Sequence, residues 1–272
     1  MVRDDRRAEL ARFLRDRRAR LRPEDVGLPT TSRRRVPGLR REEVAALSGV
    51  GVTWYTMLES GADMNVSLAT LTSIGSALRF TADELTYAQQ LATSIDAETP
   101  DLLADPLATR TLDSLAIPAY VCTSQWIALA WNRAFSETWG IEAPGGAPFN
   151  IVLRMWSPEL RALHGDRFPA FAARVVAMLR AGSARHVHDS PFRAIASALA
   201  NDRDFAEASA AYEITAPFAV ARTTIDSPTR GRFTYETMTL VVPHASGQAI
   251  VVQVPVEGVD LGDRASGDAR EP

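Results

Sequence analysis

Apolar side chains recur at helical intervals through residues 5–92 and predict five short helices. In the first, Leu10, Phe13, Leu14 and Leu21 share one face, while Arg12, Arg15 and Arg18 fall elsewhere. Pro23 stops it, and Pro29 and Pro37 bracket an arginine-rich loop. A second helix spans Arg40–Ser48 with Val44 and Leu47 inward, and Gly49 breaks it. A third runs Val52–Ser60 and ends at Gly61, a common residue just past a helix C-terminus. The fourth sets Leu68, Leu71, Ile74 and Leu78 on one face. The fifth opens with the capping-box pattern Thr81-Ala82-Asp83-Glu84 and carries Leu85, Ala88 and Leu91.

The period changes beyond an acidic, proline-containing linker at residues 93–106. Ala119–Cys122 and Trp126–Ala130 read as strands joined near Ser124, followed by a helix at Asn132–Trp139 and a loop at Pro144-Gly145-Gly146. Helical stretches follow near Pro158–Leu163, Phe168–Ala181 and Phe192–Ala210. Three strands close the pattern, Val220–Ile225, Phe233–Val242 and Ala249–Val254. This order predicts an α+β domain over residues 107–256, with helices packed on one face of an antiparallel sheet. The polar residues 257–272 are expected to form a disordered tail.

The segment REEVAALSGVGVTWYTMLESG (Arg41–Gly61) has the spacing of a helix-turn-helix. Two steeply crossing helices need a small residue on the first, here Ala45, and a glycine at the turn, here Gly49. Buried apolar residues follow at Val50, Tyr55 and Leu58, and Glu43 and Glu59 complete the pattern. The second helix of such a pair enters the DNA major groove, so Val52, Thr53, Trp54, Thr56 and Met57 are the expected base-facing positions.

Charge supports that reading once its distribution is considered. The net charge is −3, but residues 1–92 hold 15 Arg against 12 acidic residues and the remainder holds 15 Arg against 21. There is no lysine, and arginine makes the bidentate contacts with phosphate and guanine that lysine cannot match. Arg33, Arg34, Arg35, Arg40 and Arg41 precede or begin the first helix of the pair, where phosphates are expected. Helix-turn-helix proteins reach specificity by pairing two half-sites, so a homodimer on double-stranded DNA is expected.

With FLRDRRARLRPEDVGLP upstream, RRRVPGLRREEVAALSGVGVTWYTMLESG resembles the Xre-type helix-turn-helix regulators of the MmyB-like subfamily over residues 9–92. Gly51 stands where that family usually has a serine-like cap, and Gly75 where alanine is common. The segment LDSLAIPAYVCTSQWIALAWNRAFSETWG (Leu112–Gly140), and more loosely Asn150 and Phe233–Val242, resemble the MmyB-like ligand-binding domain. That resemblance implies a PAS-like fold and an apolar, fatty-acid-like ligand held between helices and sheet. On such a fold Trp131, Phe135, Trp156 and Phe171 are expected to line the ligand gap; the alternative is that they are plain core and the domain serves only dimerisation or a protein partner. Arg154, Arg161 and Arg174 are candidate partners for a carboxylate head group.

Other chemistries find little support. His186-Val187-His188 lacks a third metal ligand, Ser124, Ser157 and Ser190 lack a nucleophile elbow, and no glycine-rich phosphate loop is present. Neither an enzyme nor a cofactor is expected. The single cysteine, Cys122, lies in an apolar run and reads as core. No apolar run reaches membrane-spanning length, and the polar N-terminus does not read as a signal peptide, so a cytoplasmic protein with no membrane partner is expected.

Overall fold

The computed structural model describes residues 2–29, 38–93, 101–142, 144–184, 191–217, 219–228, 231–242 and 247–256. Arg33, Arg34, Arg35, His186 and His188 lie outside them, as does the tail. The chain divides into two compact units: Met1–Glu98 with Ala172–Pro217, and Thr99–Phe171 with Phe218–Pro272.

The first unit begins with five helices, α1 (Val2–Arg20), α2 (Arg41–Ser48), α3 (Val52–Ser60), α4 (Leu68–Ala77) and α5 (Ala82–Ala92). Their ends follow the local chemistry. Glu43 Oε2 accepts from the Arg40 amide at 2.6 Å, and the Thr81–Glu84 capping box closes with bonds of 2.8 and 3.2 Å. Gly49 turns between α2 and α3 at φ 69°, a left-handed conformation costly for other residues. Gly75 also has a reason: a Cβ there would lie 2.9 Å from the Phe80 ring. The helix weakened by that glycine thereby gains close packing.

Phe13, Leu14, Val44, Ala45, Tyr55, Leu71, Ile74 and Ala88 are fully buried in the core of this bundle. Leu47 and Leu68, expected inward, are 39% and 49% exposed, because each lies at the margin of its helix's apolar stripe.

Part of a later segment completes the same core. After α6 (Pro106–Asp113), α7 (Arg133–Trp139), α8 (Ile151–Met155) and α9 (Pro158–His164) come α10 (Phe168–Ser183), α11 (Pro191–Ala198) and α12 (Arg203–Ala211). Ala181, Ala184, Tyr212 and Ile214 join the bundle core, and the Tyr212 ring lies 6.4 Å from that of Phe13. Buried Arg17 fixes this packing by reaching Glu84 at 3.0 Å and the Tyr212 carbonyl at 2.6 Å. The Ala216 amide donates to Asp83 at 2.8 Å. Helical periodicity indicates that a face is buried, not what buries it. From Ala172 to Pro217 the chain belongs to the unit of the N-terminal helices. The expected stretch Phe192–Ala210 is two helices, because the Asp202 side chain caps α12 by accepting from the Phe205 amide.

The second unit is built on six antiparallel strands in the order β3-β2-β1-β6-β5-β4. These are β1 (Ala119–Thr123), β2 (Ile127–Trp131), β3 (Phe149–Asn150), β4 (Arg222–Ser227), β5 (Gly231–Val241) and β6 (Gln248–Pro255). The α+β expectation holds for this unit. One detail differs: both faces of the sheet meet helices. α7 covers Tyr120 and Tyr235 through Phe135 and Trp139, with ring separations of 4.9 and 5.9 Å. On the opposite face, Ala108 and Leu112 of α6 pack with Val121, Leu129, Ile250 and Val252. α6 has barely two turns, too few for its periodicity to be recognised in sequence.

Asn132 fastens this arrangement. Its Oδ1 accepts from the amides of Ala119 (3.1 Å) and Phe135 (2.9 Å), while Nδ2 donates to the carbonyls of Leu115 (3.0 Å) and Ile117 (2.8 Å). One buried side chain thus caps α7 and holds the turn into β1. Asn132→Ala leaves these backbone groups unpaired and should destabilise the chain by about 3 kcal/mol or more. Urea unfolding read by tryptophan fluorescence checks this; a loss below about 1 kcal/mol would show the bonds to be replaceable.

Candidate functional site

The helix-turn-helix is organised around a buried charge. Glu59, at the end of α3, is fully buried. Arg18 of α1 donates to it with both Nε (2.5 Å) and Nη2 (3.2 Å), Arg41 of α2 donates through Nε, and the Tyr55 hydroxyl donates at 3.3 Å. Arg18 also bonds the Leu39 carbonyl at 2.7 Å, and Arg15 reaches the Glu59 carbonyl at 3.0 Å. Three helices and the chain entering α2 therefore converge on one carboxylate. Burial alone would raise its pKa. The hydrogen bonds and charges of Arg18 and Arg41 outweigh that and hold the group below its ordinary value. The Tyr55 hydroxyl is pushed up by burial and by the Glu59 charge.

This clamp changes the reading of individual residues. Arg41, expected at a phosphate, directs its Nε inward to Glu59, although its side chain stays 44% exposed. Arg40 is exposed at the N-terminus of α2. Along α3, Val52, Thr53 and Met57 are exposed and Thr56 is half-buried. Trp54 is also half-buried and packs against the bundle core, so its indole is less available to a base edge than the sequence pattern suggests. Arg18 and Glu59 were the residues whose pairing sequence could not reveal. The Glu59 position was legible in the motif; its partner, 41 residues earlier, was not.

In the sheet unit, Trp131, Phe135, Trp156 and Phe171 are all buried. Trp131 packs on Phe149 at 5.0 Å and donates to the Glu142 carbonyl at 2.9 Å. Trp156 packs edge-on against Phe168, and Phe171 lies 4.1 Å from the buried imidazole of His164. Phe135 lines an apolar cavity, with Trp139, Ile151, Met155 and Leu160. That cavity measures about 10 Å³, room for about one water. Arg154 stands in its wall, within 3.2 Å of Ser157. Arg161 lies over the Phe168 ring at 4.2 Å. Cys122 is fully buried and its thiol is pushed up to about 12, which makes it unreactive. Among the described residues no cluster of His, Cys, Asp or Glu is arranged to hold a metal, and no helix is long and apolar enough to cross a membrane.

Comparison with known families gives two matches. Residues 9–87 match a helix-turn-helix domain, and residues 104–265 match the MmyB-like transcription regulator ligand binding domain. No curated protein matches the chain.

The buried clamp predicts an acid-sensitive first unit. A carboxylate whose pKa falls on folding contributes stability that is complete above the unfolded value, roughly 4.3, and is lost as pH falls through the folded one. Glu59→Gln leaves Arg18 and Arg41 without their buried anion and should cost about 3 kcal/mol at neutral pH. It should also flatten the acid limb of a stability–pH curve. A variant that keeps the parent's slope below pH ~4.3 would show that other carboxylates set it.

Proposed function

Because the chain belongs to the MmyB-like transcription regulators, we propose that it reads a near-palindromic duplex site as a homodimer under control of an apolar ligand. The observation that carries the DNA assignment is the solvent face of α3. It presents Val52, Thr53 and Met57, neutral side chains suited to base edges and thymine methyls, on a helix fixed from beneath by Glu59. Thr56 and the exposed edge of Trp54 border that face. Arg40 and Arg41 stand at the N-terminus of α2, where helix dipole and guanidinium together favour a phosphate. The arginines at 33–35 supply further phosphate contacts. In this reading phosphate contacts set register and α3 sets sequence.

The ligand of the sheet unit is a fatty acid or a similar amphipathic acid. It enters beside Phe135 and displaces the side chains that now close the cavity; Met155 is unbranched and repacks readily. Arg154, in the cavity wall, receives the carboxylate. Trp131 packs behind Phe149 of the cavity wall. A second reading is favoured by the small volume of about 10 Å³: the unit serves dimerisation or a protein partner and takes no ligand.

The DNA assignment is checked by binding to selected and random duplexes across a salt series. Thr53→Ala and Met57→Ala should change sequence preference while leaving affinity for random DNA within about twofold. Arg40→Ala should weaken all sequences alike and reduce the salt slope by roughly one. A uniform loss in all three variants would displace α3 from the groove. Sedimentation of the protein alone and on DNA reads the dimer; a monomer in both sinks it.

Calorimetry with acyl chains tests the sensor. A medium- or long-chain acid should bind saturably, raise the melting temperature with concentration and shift DNA affinity. Arg154→Ala should weaken the acid but not the alcohol of the same length. Absence of saturable binding throughout would leave the second reading standing.

A further inference from the structure

The helical unit contains a cleft of about 700 Å³ bordered by α1, α5, α10, α11 and α12. That size lies within the range of small-molecule sites. Its walls carry Arg12, Arg15, Arg180 and Arg193 against two acids, Asp5 and Glu9. Both acids are engaged. Asp5 pairs with Arg193 at 3.0 Å, and Glu9 accepts from the hydroxyls of Tyr87 (2.9 Å) and Tyr212.

Arg180 is 5% exposed and donates to the carbonyls of Ser209 (2.9 Å) and Glu213 (3.3 Å). Its guanidinium lies 4.3 Å from the Tyr212 ring, and that of Arg12 lies 5.0 Å from the same ring. Two like charges thus share one aromatic face-partner, and among the described residues Arg12 meets no carboxylate. Burial pulls the Arg180 pKa below its ordinary value, against the opposing influence of Tyr212, Tyr87 and Glu9. An anion placed at the cleft rim would meet Arg12.

We propose that this cleft binds a small organic anion with a flat apolar body. Arg12 and Arg193, exposed at its rim, hold the charged group, and Tyr212 and Phe205 pack the body. The assignment goes beyond the apolar ligand of the sheet unit and does not depend on it. Its position has a consequence for DNA reading. Arg15 lines the cleft and also donates to the Glu59 carbonyl at the end of α3, so an occupant drawing on Arg15 competes with that bond.

The test uses the full chain and two fluorescent probes, anilinonaphthalene sulfonate and its uncharged counterpart phenylnaphthylamine. The sulfonate should bind saturably, and Arg12→Ser with Arg193→Ser should weaken it by roughly tenfold or more. The uncharged probe should be unaffected. Arg12→Lys with Arg193→Lys should retain most of the affinity, and matching melting curves should establish that all variants fold. Equal affinity in the serine variant overturns the proposal. So does loss of sulfonate binding through Arg154→Ala instead, which would place the probe in the sheet unit. A serine variant that loses affinity only for random-sequence duplex DNA also overturns it, since these arginines would then serve phosphates.

Discussion

A carboxylate with no solvent exposure is costly unless its charge is fully met, and Glu59 is met from several directions. Arg18 brings α1, Arg41 brings α2, and Tyr55 lies one turn earlier on α3. These bonds are directional, whereas the apolar contacts of Val44, Ala45, Tyr55 and Leu58 would tolerate small rotations of one helix on another. The clamp therefore sets the angle at which α3 presents its outer face. It also accounts for the double duty of the arginines in this region. Positive charge near a helix-turn-helix invites assignment to phosphates, yet Arg15 and Arg18 make structural bonds and Arg41 makes at least one.

The same unit recruits a segment remote in sequence. Tyr212 rests on Phe13, hydrogen-bonds Glu9 beside Tyr87, and has Arg12 and Arg180 at its ring. Arg17 adds a bond to its carbonyl. The helix-turn-helix unit is therefore larger than its five helices, and part of its core comes from residues beyond 171. The chain passes between the two units within α10 as well as near residues 98 and 217.

In the sheet unit the aromatic residues mostly satisfy one another. Tyr120, Phe135, Trp139 and Tyr235 form a run of ring contacts, and Trp139 donates to buried Gln253 at 2.7 Å. A ligand entering this core would have to separate packed side chains.

Local rules in the sequence determined the helix-turn-helix. The boundaries Val52–Ser60, the turn at Gly49 and the Thr81 cap depend on residues within a few positions of each other. Five of the six strands were equally legible, within two residues, because alternation and flanking turns are also local; β3, two residues long, has no alternation to read. Tertiary structure alone decided three matters. It chose the partner of Glu59, gave Ala172–Pro217 to the helical unit, and set which neighbours Trp131, Trp156 and Phe171 pack against. Each depends on contacts between distant residues. Composition states that a tryptophan or an arginine will be buried or paired, and only the folded chain selects its neighbour.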